Sequence, residues 1–329
     1  MALLEVRGLH TVFPTPFGSV RACNDVSFDV QPGEVLGIVG ESGSGKTLTA
    51  LSVLRLVPPP GRVEAGSIRF AGEELIGASE ARLRQLRGRD IGMVFQDAGR
   101  ALDPVHTVAA QLREAAADKR ADTAALLGRV GLDARLALRY PHELSGGQRQ
   151  RAMIAIAIAR NPRLVIADEP TTAVDSISQI QVLRELVRIQ RDLGCALIVI
   201  SHNLGLISRL ADRVIVMYLG RVMEQNAVSA FVGQPRHPYA QALLAATPSL
   251  DTDRRSGRLA GIRGTPARMT EIPPGCSFHP RCAHALAQCA IDVPAWERYE
   301  DGSGAACHLL SSAVSDTAEL GASLALATP

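Results

Sequence analysis

Val35–Thr47 reads VLGIVGESGSGKT, and the reading of this stretch decides the fold. Its first half, Val35, Leu36, Ile38 and Val39, is a short apolar run of the kind that forms a buried strand. Its second half, Gly40-Glu41-Ser42-Gly43-Ser44-Gly45-Lys46-Thr47, sets two glycines, a lysine and a hydroxyl at the offsets of a phosphate-binding loop. Thr47–Val57 (TLTALSVLRLV) has helical spacing and stops at Pro58-Pro59-Pro60. A strand, a glycine-rich turn and a helix start are what phosphate binding requires. Glycines at 40, 43 and 45 leave successive N–H groups free to point into one concavity, and the helix N-terminus adds partial positive charge. Lys46 is then placed to reach the β- and γ-phosphates, and Thr47 to offer a hydroxyl to Mg²⁺. A nucleotide is the expected ligand.

Outward from this stretch, residues 3–30 alternate as strands, LLEVRGLHTVF and VRACNDVSFDV, and Gln31-Pro32-Gly33-Glu34 turns the chain into the buried run. GSIRFAGEEL (66–75) continues the pattern. Phe17, between turn residues, could stack on a base; a lone loop aromatic is as often simple packing. Asp90–Phe95 is a further short strand ending at Gln96, an amide placed to complete a Mg²⁺ shell or to hold an attacking water. Residues 107–139 have helical spacing. Leu144-Ser145-Gly146-Gly147-Gln148 opens another helix, with Ser145 as its cap and two glycines that leave a second anion site. Leu164–Ala167 is an apolar strand ending in Asp168 and Glu169, at the carboxyl edge where an α/β sheet binds ligands. Asp168 suits Mg²⁺ and Glu169 suits polarising a water against the γ-phosphate. Asp175 precedes a helix over 176–193 whose apolar face is Ile177, Ile180, Leu183, Leu186, Val187 and Ile189. Cys195–Ile200 is one more buried strand, with His202 at its exit. Each of these acids, amides and histidines taken alone is more often an ordinary strand-end residue. Arg213–Met217 and Arg221–Glu224 form a hairpin.

The whole chain of 329 residues, 47% apolar and 21% charged, has room for about two domains and a large core. Its net charge of +2, from 35 basic and 33 acidic residues, gives no electrostatic footprint for nucleic acid. No window has the ~18 apolar residues of a membrane span, and MALLEVRGLHTVF lacks a secretory pattern. A reducing, cytosolic setting is expected, in which the six cysteines are ligands or buried thiols rather than disulfides. Four of them cluster as Cys276-x₅-Cys282-x₆-Cys289-x₁₇-Cys307. Absence of a C-x₂-C pair argues against a zinc ribbon. Four thiols can hold a [4Fe–4S] cluster, although ferredoxin spacing is tighter; the alternative is four free thiols.

Taken together the motifs resemble the ATP-binding cassette of ABC proteins. Gly40–Thr47 is similar to the Walker A loop, Gln96 to the Q-loop glutamine, Leu144–Gln148 to the LSGGQ signature, and Leu164–Glu169 to Walker B. Ala173–Asp175 is similar to the D-loop, with Val174 where leucine is commoner, and His202 to the switch histidine. Arg139-Tyr-Pro-His-Glu-Leu-Ser145, His237-Pro-Tyr-Ala-Gln-Ala-Leu-Leu-Ala-Ala-Thr-Pro248 and the cysteine-bearing end narrow the likeness to ATP-binding subunits of oligopeptide and dipeptide importers. The loop Asp97–Pro104 departs from them at Ala98 and Asp103.

The resemblance implies an α/β P-loop core with an antiparallel β subdomain and a helical signature subdomain near 97–160, together spanning 1–232. A C-terminal extension over 233–310 and a disordered tail over 311–329 complete the expected chain. It implies an ATPase using ATP and Mg²⁺, with Glu169, His202 and Gln96 in hydrolysis, Thr47, Gln96 and Asp168 on the metal, and Ser145, Gly146, Gly147, Gln148 and Asp175 facing a nucleotide across a subunit boundary. It implies a [4Fe–4S] cluster on Cys276, Cys282, Cys289 and Cys307. Implied partners are a second cassette (a paralogue rather than a copy), two membrane permeases and, indirectly, an extracytoplasmic peptide-binding protein, with the chain on the cytoplasmic face of the membrane. Because the ATP motifs all precede residue 203, the cluster is expected to lie remote from hydrolysis and to be mainly structural. Rival readings are an importer subunit for nickel, glutathione or another small solute, an exporter subunit, a soluble ABC ATPase, and an iron–sulfur module with a vestigial ATPase. Against the third, residues 97–143 leave no room for the coiled coil of repair ATPases, and there is one cassette where translation types have two. Against the last, Lys46, Glu169 and His202 are all present.

Overall fold

A computed structural model describes residues 1–16, 18–171, 176–247 and 261–311. The expectations for Phe17, for Asp175 with the rest of its loop, and for the 312–329 tail lie outside the described residues.

The chain begins as an antiparallel sheet of β1 (Leu4–Thr15), β2 (Gly18–Val30), β4 (Arg62–Phe70) and β5 (Glu73–Glu74), in the order β2-β1-β4-β5. Alternation drives it: Leu4, Val6, Phe28, Val30, Ile68 and Phe70 point into one core while their neighbours face water. Between these strands lie β3 (Val35–Val39) and α1 (Lys46–Val53), the strand and helix expected around the glycine-rich loop. The second sheet contains β3, β6 (Ile91–Val94), β7 (Leu164–Asp168), β8 (Ala196–Ser201), β9 (Arg213–Tyr218) and β10 (Arg221–Ala227), and runs on into β11 (Trp296–Arg298) and β12 (Gly304–Ala306). Its order is β11-β12-β10-β9-β3-β8-β7-β6. Every residue of β3, β7 and β8 is buried, so these strands read as unbroken apolar runs, as parallel strands covered on both faces do.

Register does the work that matters for function. Val39 pairs with Ser201, Asp168 with Ile200, and Val94 with Ala167, all in parallel. Four strands therefore end within about a residue of one another along one edge. Gly40, Gln96, Asp168, Glu169 and His202, which are far apart in the chain, leave the sheet at that edge.

On the flank of β6 lie α2 (Glu80–Leu86), α3 (Ala98–Ala101), α4 (Val108–Ala116), α5 (Thr123–Arg129) and α6 (Gly146–Ile158). Thr107 and Asp122 cap α4 and α5 through the N–H groups of Ala110, Ala124 and Ala125. The helix expected over 176–193 is α7 (Ser176–Leu193). Of its expected face, Ile177 lies outside the residues whose side chains are described; Leu183, Leu186, Val187 and Ile189 are buried, Ile180 is exposed, and Val182 is buried as well. Three short helices come later, α8 (Leu204–Ile207) after β8 and α9 (Val228–Gly233) and α10 (Pro238–Ala245) after β10.

The C-terminal part is joined to the main sheet. Glu224 of β10 pairs with Ala305 of β12, and β11 pairs with β12 in turn. The fully buried Glu224 carboxylate accepts from the N–H groups of Arg236 and His237 at 2.7–3.0 Å, fixing the entry to α10. The sheet thus crosses the boundary expected at 232/233.

Candidate nucleotide site and cysteine cluster

The loop Gly40–Gly45 is held by backbone approaches that only glycine allows at two positions. A Cβ on Gly40 (φ 153°) would lie 2.2 Å from the Met217 carbonyl, and one on Gly45 (φ 99°) 2.5 Å from the Ala22 carbonyl. Lys46 is buried, and its Nζ donates to the carbonyls of Gly40 and Glu41, both at 2.9 Å, and to Ser44 Oγ at 3.4 Å. Burial pushes its pKa down; the carboxylates of Glu169, Asp168 and Glu41 oppose that. The ammonium is therefore confined by the loop and the nearby acids.

Thr47 Oγ1 donates to Asp168 Oδ1 at 3.1 Å. Two oxygens from α1 and β7 so lie side by side at the sheet edge, hard ligands of the type Mg²⁺ takes. Burial raises the Asp168 carboxyl to about 6, the Thr47 hydrogen bond and Lys46 pull it down, and Glu169 pushes it further up. Glu169 sits at φ 42°, an uncommon backbone angle for a residue with a side chain, with its N–H bonded to the Ile200 carbonyl at 2.9 Å. That turn points its carboxylate out of the sheet edge. One oxygen, Oε2, accepts from Gln96 Nε2 at 3.0 Å and lies 3.6 Å from His202 Nδ1. The expected Gln96, Glu169 and His202 are thus brought together on a single atom. Gln96 spends its amide on Glu169, not on Thr47 or Asp168.

The cleft over the loop has a volume of about 420 Å³. Ser42–Leu48 form its floor, Gln96 and Glu169 one wall, and Phe13, Val20 and Ala22 the other. Phe13, half-buried at the end of β1, is an aromatic of this cleft that the sequence reading did not single out. Its signal was present, as an aromatic in a strand that leads to the loop, but it was read as part of the strand alternation. Met269, from the C-terminal extension, also lines this cleft, and nothing local marks it.

Ser145 caps α6. Its Oγ accepts from the Gln148 N–H at 3.3 Å while Gln148 Oε1 accepts from the Ser145 N–H at 2.9 Å, a reciprocal capping box. Gly146 and Gly147 follow with open space beside Gly147. None of residues 145–148 lines the cleft of its own chain.

Cys276, Cys289 and Cys307 are buried, Cys282 is half-buried, and all four are free thiols. Cys276 N–H donates to the Cys289 carbonyl at 2.8 Å. Burial, with a smaller push from the other three cysteines, raises the Cys276 thiol to about 11. Among the described residues no group of three or more His, Cys, Asp or Glu is arranged to hold a metal ion. Cys23 and Cys195 are buried in the cassette.

The C-terminal extension reaches the phosphate loop. Arg281, beside Cys282, grips Glu41 of the phosphate loop through both nitrogens, at 2.5 and 3.0 Å. Tyr239 OH accepts from the Glu41 N–H at 3.0 Å. The chain folds back onto the loop because the sheet continues through β12.

Comparison with known proteins agrees with this architecture. The ABC transporter family model matches residues 23–172, and the model for the oligopeptide/dipeptide transporter C-terminal region matches residues 223–289. A putative peptide import ATP-binding protein of Brucella abortus is 45% identical over 302 residues, 89% of this chain and 90% of its own. A probable peptide ABC transporter ATP-binding protein of Sinorhizobium fredii is 43% identical over 93% of this chain and 94% of its own. Among solved structures, the dimeric bacterial ABC transporter cassette MJ0796 superposes with a TM-score of 0.62 at 25% identity, over 68% of this chain and 98% of that one. The protein cbiO1 of Clostridium perfringens, part of the transporter complex cbiONQ, gives 0.61 at 26% identity, over 71% and 91%. With a P-loop, a signature helix and an oligopeptide-transporter extension in one chain, this protein belongs to the ATP-binding subunits of ABC peptide importers, the ATPases that power peptide uptake.

Proposed function

We propose that this chain hydrolyses ATP at composite sites, each made of its Gly40–Thr47 loop and the Ser145–Gln148 signature of a second cassette. The observation that carries this reading is the convergence of Gln96 and His202 on Glu169 Oε2, next to the Thr47–Asp168 pair. Ser42–Thr47 cradle the phosphates, Lys46 neutralises charge on them, and Thr47 and Asp168 hold the metal. When bound, Mg²⁺ would neutralise part of the phosphate charge. Glu169 accepts the proton of the attacking water, Gln96 keeps that carboxylate oriented, and His202 bonds the γ-phosphate oxygen or the water. Phe13 gives the base an apolar wall.

The signature helix supports the second half of the reading. Its capped N-terminus has open space beside Gly147 and does not line the cleft of its own chain, which suits a nucleotide held by another chain. Asp175 would lie at the same seam. A paralogue is the preferred partner, and closure of the pair on two nucleotides drives two membrane permeases from the cytoplasmic face, with the peptide delivered by an extracytoplasmic binding protein. Val105, Leu138 and Tyr140 are exposed apolar side chains on the helical subdomain, joined by the Val108 N–H to Arg139 carbonyl bond at 2.9 Å. They form the surface that would meet a permease, and Ala98 and Asp103 alter the loop beside it.

The finer cofactor reading is a [4Fe–4S] cluster on Cys276, Cys282, Cys289 and Cys307. The donor set is all thiol, which suits iron–sulfur chemistry, and the Cys276 N–H bond to the Cys289 carbonyl ties two of its members together. When bound, the cluster would tie together a loop-rich segment that has little core of its own.

Glu169→Gln tests the hydrolysis reading. ATP binding should persist and turnover should fall by 10²–10⁴-fold, the usual worth of general-base assistance. Turnover within a few-fold of the wild type would transfer the role to another group.

A further inference from the structure

Glu41 is the second residue of the phosphate loop, and all of its polar groups are engaged. Its carbonyl accepts from Lys46 Nζ at 2.9 Å and from the Ser44 N–H at 3.2 Å, so it orients both the loop's cation and its central turn. Its N–H and its carboxylate are held from outside the cassette core: the N–H by Tyr239 OH, and both carboxylate oxygens by Arg281. We propose that Arg281 is a positioning residue for nucleotide binding, a strut by which the C-terminal extension sets the conformation of the phosphate loop. This inference rests on the reading of that loop as the ATP site.

The strut is built to keep its direction. Arg281 is itself buried, its Nε donates to the Arg263 carbonyl at 2.9 Å, and its Nη1 reaches Tyr218 OH at 3.3 Å. The guanidinium lies 5.8 Å from the Tyr218 ring centre and 6.0 Å from that of Phe278. Tyr218, Tyr239 and Phe278 pack on one another with centroids 4.7–5.5 Å apart, so the end of β9, α10 and the cysteine segment meet in one aromatic knot. A planar fork on a carboxylate fixes angle as well as distance, which a flexible surface pair does not. Because both partners are held on their other sides, motion of the loop and motion of the 276–282 segment are coupled. Linkage then requires reciprocity: if the extension favours the ATP-binding form of the loop, bound ATP must favour the docked extension.

The experiment measures the Kd of a fluorescent ATP analogue, with Mg²⁺, on the full chain carrying Arg281→Ala, Arg281→Lys, Glu41→Gln, or Arg281→Ala with Glu41→Gln. Lys46→Ala serves as the control for the site itself. Arg281→Ala should raise Kd at least tenfold, Arg281→Lys should recover part of the loss, and the double variant should be no worse than the weaker single. Hydrogen exchange of residues 276–289 should slow on adding ATP to the wild type. In Arg281→Lys, a variant that keeps the charge and so guards against a folding defect, this protection should shrink in step with its Kd. Loss of binding in Lys46→Ala with unchanged Kd in every Arg281 and Glu41 variant would overturn the strut and keep the site. Unchanged Kd in Lys46→Ala as well would overturn the site. Additive losses in the double variant would mean that the two residues act separately, and the proposal would fall.

Discussion

Replacing Asp168 by Asn should abolish hydrolysis and yet make the nucleotide-free protein more stable at neutral pH. Asp168 is buried at the end of a central strand, with Thr47 Oγ1 as its near neighbour at 3.1 Å. Burial lifts its carboxyl from the ordinary 3.8 to about 6. At about 1.4 kcal/mol per pH unit, holding the ionised form in the folded chain costs roughly 2–3 kcal/mol at pH 7.5. The sign follows from the direction of the rise. Below about pH 4 the group is neutral folded and unfolded, and the cost is absent. Between about 4 and 6 the folded chain binds the proton more tightly, so stability falls as pH rises. Above 6 the cost is complete. Asn keeps the acceptor for Thr47 and removes the charge, so urea unfolding should show the variant ahead by about 2–3 kcal/mol at pH 7.5 and level with the wild type near pH 4. Excess MgATP should then close the gap, because a ligand at a hundred times its Kd adds about 2.7 kcal/mol to the wild type alone. A constant difference across this pH range, or a variant less stable at pH 7.5, would refute the account of Asp168 as a buried charge waiting for a cation.

Two further outcomes test the assembly and the tail. A Ser145→Arg chain mixed with a Lys46→Ala chain leaves one intact composite site if this protein pairs with itself; ATPase assays should recover nothing, as pairing with a paralogue requires, and recovered activity would identify a homodimer. Protein purified without oxygen should be brown with about four irons and four sulfides per chain. Replacing any of Cys276, Cys282, Cys289 or Cys307 by Ser should bleach it while Cys23→Ser and Cys195→Ser should not; colourless protein with one zinc per chain would replace the cluster by a single ion.

Much of the nucleotide site was legible because its parts are local. A phosphate loop needs a strand, three glycines and a helix start within thirteen residues, and each leaves a mark in composition or spacing. Ser145 and Gln148 cap each other across a single turn, so their pattern reads directly from the sequence. The ends of α7 were legible for the same reason, since helical spacing and Gly194 lie within a few residues of what they determine. Its outward side was less so. Ile180 has the spacing of a core residue but is exposed, because which side of a helix is covered depends on what packs there and not on the helix. Phe13 was hidden in a strand whose alternation explained it already.

What the sequence determined by itself, then, was the kind of each element and the chemistry at its ends: apolar strands that finish in glycine, amide, carboxylate or histidine. That these ends meet is a property of the parallel register of β6, β7, β8 and β3, in which backbone hydrogen bonds align residues separated by whole helices. The contact between Arg281 and Glu41 spans 240 residues. No local pattern encodes such a pair, because the energy that makes it comes from burying β12 against β10 and an aromatic knot against the phosphate loop. Only the closed tertiary structure brings those surfaces together.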